Sequence, residues 1–385
     1  MDLGFINRLI LDDSYMQDKN GEQMLRVSRI SVKINLLALA NGQIEITSAQ
    51  FFGLHANLYK ATPEAKPNFQ FVIDALASKD STKQKTPLDL QINSLIIRNG
   101  EISYRVLSRP SRPGKFSADD INARNISAHI IINRITDDSL NVKVKRIAFD
   151  ERCGFKLKSL SLSAIACRTK TKIENFKLEL PATLIQIPSL QASYRMKNGQ
   201  IEMPTLQFDG SIKAPYISPS DLAVFVPTLT RLNMRPALDI QFNGTGSSLT
   251  VKKISINTTD GSLQLVANGG VKNYPANPSW YTNIDQLKAG QQAISNIYAV
   301  ATGKNVPNII ERLGNVQITG YAGGDKKNIA SEGKLHTSPG NLTLAFDKRG
   351  DKITAHMETV RFNIGSLVNL SLIHISEPTR RTPIS

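Results

Sequence analysis

Apolar and polar residues alternate along most of this chain. Clear stretches are Leu88-Asp89-Leu90-Gln91-Ile92, Leu140-Asn141-Val142-Lys143-Val144, Phe176-Lys177-Leu178-Glu179-Leu180 and Leu238-Asp239-Ile240-Gln241-Phe242. Later ones include Ile254-Ser255-Ile256, Leu263-Gln264-Leu265, Val316-Gln317-Ile318, Leu342-Thr343-Leu344 and Ile353-Thr354-Ala355-His356-Met357. A period of two keeps one face of a strand dry and the other wet. The pattern therefore predicts a mainly β fold: an elongated, curled antiparallel sheet forming an open groove, with a few short covering helices. The inward positions Leu90, Ile92, Ile130, Ile132, Val142, Val144, Leu178, Leu180, Ile240, Phe242, Leu263 and Leu265 become the candidate lipid-groove lining. A filled core is the competing reading, because alternation reports that a face is dry and not what keeps it dry.

Between strands stand dipeptides whose positive φ suits tight hairpins: Asn41-Gly42, Asn99-Gly100, Asn198-Gly199 and Asp260-Gly261. Asn41-Gly42-Gln43-Ile44-Glu45 returns as Asn198-Gly199-Gln200-Ile201-Glu202, at a spacing too irregular for a solenoid. Helices are expected near 218–232 and 284–313. Ser218 or Ser220 caps the first; Leu287, Ile294, Ile297, Tyr298 and Ala301 mark one face of the second; Gly303 ends that run and Pro307 opens another turn. Polar loops are expected at 77–86 and 108–115, the second giving a boundary between regions 1–110 and 111–369.

The net charge of +15 and pI near 9.7 raise the question of a phosphate-bearing partner. The basic residues are spread along strands and not gathered in a run, which disfavours nucleic acid and leaves anionic headgroups. Two cysteines, Cys153 and Cys167, make no disulfide framework and have no zinc-ligand spacing, though an oxidising compartment would permit a bond between them. No catalytic constellation is expected. Gly-x-Ser-x-Gly is absent, the histidines stand apart, Gly323-Gly324-Asp325-Lys326 reads as a turn, and Asp12-Asp13, Asp119-Asp120 and Asp137-Asp138 read as solvated loops. No cofactor, metal or nucleotide is expected, and the chain is read as a non-enzyme.

Residues 370–385, beginning Leu370-Ser371-Leu372-Ile373-His374-Ile375-Ser376-Glu377-Pro378-Thr379-Arg380, resemble a translated sequencing-library adapter, so the native protein is expected to stop near Asn369. Removing them leaves 45 basic and 31 acidic residues, a net of +14.

The order of elements resembles the TamB (translocation and assembly module) branch of the AsmA-like envelope family. The resemblance rests on Leu9-Ile10-Leu11-Asp12-Asp13-Ser14-Tyr15, Ile30-Ser31-Val32-Lys33-Ile34-Asn35-Leu36 and Asn41-Gly42-Gln43-Ile44-Glu45-Ile46. It continues through Asn68-Phe69-Gln70-Phe71-Val72-Ile73-Asp74 and Leu95-Ile96-Ile97-Arg98-Asn99-Gly100-Glu101-Ile102-Ser103-Tyr104 to Ile217-Ser218-Pro219-Ser220-Asp221-Leu222. The resemblance implies a fragment of the N-terminal half of a periplasmic protein, anchored in the inner membrane by a helix that lies outside this chain. It implies an apolar β-groove carrying phospholipid or other acyl chains between inner and outer membranes. It also implies contact with an outer-membrane assembly protein through a C-terminal region not present here. The alternative within the same family is an assembly factor for outer-membrane β-barrel proteins; a structural β segment with a filled core is the third reading.

Overall fold

Hairpins build the fold. The computed structural model describes residues 7–40, 45–77, 91–111, 114–136 and 139–368. It is mainly β, with short helices, and the strands of each unit form an open, curled sheet, with no closed barrel among the described residues. The chain divides into two units, one up to Thr230 and one from Arg231.

In the first unit, β1 (Arg8–Gln17) turns back on β2 (Gln23–Ile34), and β2 pairs with β3 (Glu45–Lys60) after the short helix α1 (Leu36–Ala40). Helix α2 (Gln70–Ala77) then precedes β4 (Gln91–Ile92) and β5 (Ser94–Val106). Both of these strands run parallel to β3, a departure from the all-antiparallel expectation. A parallel partner needs a crossover of a dozen or more residues, and the segment carrying α2 supplies that length. From there the order is antiparallel: β6 (Asp120–Thr136), β7 (Ser139–Glu151), β8 (Lys156–Cys167), β9 (Lys170–Glu179), β10 (Leu184–Ser193) and, beyond a small hairpin of β11 (Met196–Lys197) and β12 (Gln200–Ile201), β13 (Gln207–Tyr216). β5 and β6 pair directly across the loop that contains residue 110.

Asn198 and Gly199 form the β11–β12 turn with φ of 52° and 75°, the geometry their sequence predicts. Asn99 and Gly100 do something else: they lie inside β5, and Asn99 adopts φ 54° as part of a bulge where the register with β6 shifts. Asn41 and Gly42 fall outside the described residues. The left-handed conformation at Asn99 has companions. Asp13, Gly53, Asn125 and Asn175 also have positive φ, in β1, β3, β6 and β9, and the registers shift at Asn125 and Asn175. Residues in the left-handed conformation thus recur in β1, β3, β5, β6 and β9, and the bulges at Asn99, Asn125 and Asn175 add local twist that curls the sheet. Asp12-Asp13 is accordingly part of β1 and not a loop, with Asp12 paired to Arg29 at 2.6 Å. Asp137-Asp138 falls outside the described residues.

The first unit is tied off near its end by α3 (Pro219–Leu222), which Ser218 precedes without a side-chain capping bond. Asp221 accepts a hydrogen bond from the Ala182 N–H at 2.8 Å, and the buried Thr183 hydroxyl accepts one from the Ser218 N–H at 2.9 Å. Phe225 then packs at 5.0 Å from Phe116 and 5.2 Å from Phe155.

The second unit is an antiparallel meander of eight strands: β14 (Pro236–Thr245), β15 (Ser248–Thr258), β16 (Leu263–Lys272), β17 (Ser279–Ala289), β18 (Val316–Gly324), β19 (Asn328–Thr337), β20 (Gly340–Arg349) and β21 (Lys352–Val360). Its register shifts fall in the first four consecutive strand pairs, another transverse line of bulges. Helices α4 (Gln291–Thr302) and α5 (Asn308–Glu311) connect β17 to β18, and α6 (Ile364–Val368) follows β21. Gly303 ends α4 at φ 72°, and Pro307 is the residue before α5. The helix expected from Asp285 begins only at Gln291. Leu287 belongs to β17, where it sits opposite Leu265 and Ile318, and that pairing outweighs its helical spacing to Ile294. No described helix is long and apolar enough to cross a membrane.

Candidate binding groove

Strand pairing converts the alternation of single strands into continuous apolar rows, because directly opposite residues share a face. In the first unit one row crosses nine strands. It starts Leu11, Ile30, Phe51, Ile97 and continues Ala128, Ile147, Leu160, Leu178, Ile185, each opposite the next. A second runs from Leu9 through Val32, Ala49 and Leu95 to Ile130, Val144 and Leu162. A third joins Ile132, Val142, Ala164, Ile173 and Leu190.

The second unit repeats the device. Leu238, Ile256, Leu265, Leu287, Ile318, Leu335 and Leu342 form one row across seven strands. Beside it Ile240, Ile254, Ala267 and Ile284 lead to Gly320, Gly333 and Leu344. Phe242 lies opposite Val251, and Leu263 opposite Ala289.

Of the sequence-derived lining residues, Ile130, Ile132, Val142, Val144, Leu178, Ile240 and Leu265 belong to these rows and Phe242 and Leu263 to apolar pairs beside them, whereas Leu180 does not. It lies just past β9, its N–H donates to the Thr183 carbonyl, and it is 2% exposed. It is a sealed core residue and not groove lining. Ile130, Ile132, Val142, Val144, Leu178, Ile240, Phe242, Leu263 and Leu265 are all half-buried. Leu90 lies outside the described residues, and of Ile92 only its register opposite Ile46 is described. Row members that are fully covered are mostly small, such as Ala49, Ala128 and Ala267, shadowed by larger neighbours.

Pairing also explains several glycines. A Cβ at Gly269 would meet the Tyr281 carbonyl oxygen at 2.6 Å, and one at Gly270 the Leu249 carbonyl oxygen at 2.6 Å and the Tyr281 ring at 3.0 Å. Neighbouring strands approach too closely there for any side chain.

Apart from Arg29 within β2 and His129 within β6, the described ionisable groups with shifted pKa lie at strand ends and turns and hold the scaffold. Asp120 is buried at the start of β6, where it accepts a 2.5 Å bond from the Ser111 hydroxyl and pairs with Arg152; Arg105 lies 4.0 Å from its other oxygen. The Ser111 bond, against the cost of burial and with help from Arg152, lowers its pKa. Its sequence gave no hint of burial, because Asp119-Asp120 reads as a loop until β6 is seen to begin there. Asp18 accepts from the Tyr59 hydroxyl at 2.6 Å and from the Asn20 and Glu22 N–H groups, tying the β1–β2 turn to β3; the Tyr59 bond leads in lowering its pKa. Asp260, in the β15–β16 turn, is lowered to about 2 by hydrogen bonds from Thr258 and Ser262. Cys153 precedes β8 and Cys167 ends it, so the two free thiols lie at opposite ends of one strand, roughly 35 Å apart along it.

No family model, no curated protein and no solved structure matches the chain.

Proposed function

We propose that this chain is a non-catalytic stretch of a TamB/AsmA-like cell-envelope protein that carries phospholipid along its apolar β-groove between the inner and outer membranes. One observation supports the reading. The largest described side chains with under 2% exposure are Val27 and Thr183, while the leucines, isoleucines and phenylalanines of the rows stay partly open. A filled core buries such side chains outright, whereas a groove leaves them for an apolar guest. Strands sit about 4.8 Å apart, so a nine-strand row runs roughly 38 Å, longer than one extended acyl chain. Burial at about 0.8 kcal/mol per methylene holds such a chain without a shaped pocket, and headgroups stay in water. In the intact protein an inner-membrane helix and a periplasmic location complete this reading, which rests on the pattern quoted for the family.

A second reading, an assembly factor for outer-membrane β-barrel proteins, is favoured by the edge of the second unit. Among the described residues β21 pairs only with β20, leaving backbone groups for strand addition. Photo-crosslinking in cells separates the two. With the crosslinker at Ile132 or Phe242 of the full-length parent, adducts to phospholipid support carriage and adducts to membrane-protein strands support assembly. Crosslinks confined to the chain itself would refute both.

A further inference from the structure

We propose that the outward face of β5, β6 and β7, opposite the apolar rows, docks on an anionic membrane surface, whatever the groove itself carries. Arg98, Lys143, Lys145 and Arg146 are exposed there, and none forms an ion pair among the described residues. Several cations on other strands are paired instead. On β2, Arg29 is held by Asp12 at 2.6 Å; on β9, Lys172 and Lys177 are held by Glu174 and Glu179 at 2.7 and 3.1 Å. Arg98, Lys143, Lys145 and Arg146 thus gather unpaired positive charge on neighbouring strands, beside the Arg124–Glu101 pair at 3.2 Å that joins β5 to β6.

The cations are interleaved with aliphatic side chains. Ile131 lies opposite Lys143 across β6 and β7, and Ile96 lies opposite His129, which lies opposite Arg146. His129 registers the local field: burial first, then the charges of Lys145 and Arg98, push its pKa below the ordinary histidine value, so it stays neutral at pH 7.

This composition fits a bilayer better than a nucleic acid. A single strand needs aromatic platforms for its bases, and Phe52, the nearby ring, is already covered by the Arg98 guanidinium at 5.5 Å. Headgroup phosphates ask only for reach, with isoleucines meeting the interface between them. Each near-surface cation is worth roughly fivefold in affinity.

The test is co-sedimentation of the full chain with phosphatidylcholine vesicles, with and without phosphatidylglycerol. The variant Arg98→Gln, Lys143→Gln, Lys145→Gln, Arg146→Gln is compared with the unaltered chain, and Lys143→Gln with Lys145→Gln serves if the fourfold change prevents folding. Binding is expected only with phosphatidylglycerol, weakened by added salt and reduced about tenfold or more in the variant. Equal binding to neutral vesicles, binding unchanged by the substitutions, or tighter binding to an oligonucleotide through the same residues would overturn the proposal.

Discussion

Gly53 faces Ser28 across β2 and β3 with φ 60°, and a Cβ at position 53 would stand 2.5 Å from the Ser28 Oγ. Both conformation and space therefore require glycine at the point where the left-handed line crosses β3. Gly53→Ala is expected to cost about 1 to 3 kcal/mol in urea unfolding, from the left-handed backbone and the contact together. Ser28→Ala should recover the contact share only. Full stability in Gly53→Ala would show that β3 does not need this kink.

How much of this was legible depends on whether one strand carries the information. Alternation at Val142-Lys143-Val144 or Leu263-Gln264-Leu265 identifies a strand and its dry face from local spacing alone, and those strands are present. Asn99-Gly100 misleads because positive φ serves both a hairpin turn and a bulge, and only pairing to β6 distinguishes them. The parallel pairing of β3 with β5 leaves no trace in either strand's composition. Leu180 continues the alternation of Leu178, yet it is buried next to Thr183, which is bonded to Ser218, 35 residues away along the sequence. Burial contributed from such a distance cannot be read from neighbours.

Asp120 supports the start of β6 through Ser111 and Arg152, and its lowered pKa sets a direction for pH dependence. A carboxylate whose folded pKa is depressed contributes its stability above the unfolded value of about 3.9 and loses it as pH falls through the folded value. Asp120→Asn is expected to cost about 1 to 3 kcal/mol at pH 7. The gap between it and the unaltered protein should close as pH drops below about 4. A gap that is constant with pH would mean that the Asp120 charge plays no part.

Cys153 and Cys167 cannot bridge from opposite ends of β8, since a disulfide needs Cα atoms within about 7 Å. Both thiols should react with a maleimide in the folded protein kept under oxidising conditions, Cys167 faster because hydrogen bonds from Thr169 lower its pKa whereas burial raises that of Cys153. Recovery of an intramolecular disulfide by mass spectrometry would contradict the register of β7 with β8.

The groove itself is tested most directly by titrating the purified chain with a fluorescent fatty acid and comparing it with Ile132→Glu. Ile132 is half-buried and lies opposite Val142 in the third row. The account predicts saturable uptake by the unaltered chain and about tenfold weaker uptake by the variant. The folded state of the variant should change by no more than about 1 kcal/mol, because an open face lets the carboxylate reach water. No saturable uptake by the unaltered chain, or a variant that loses several kcal/mol as a charge in a sealed core must, would contradict it.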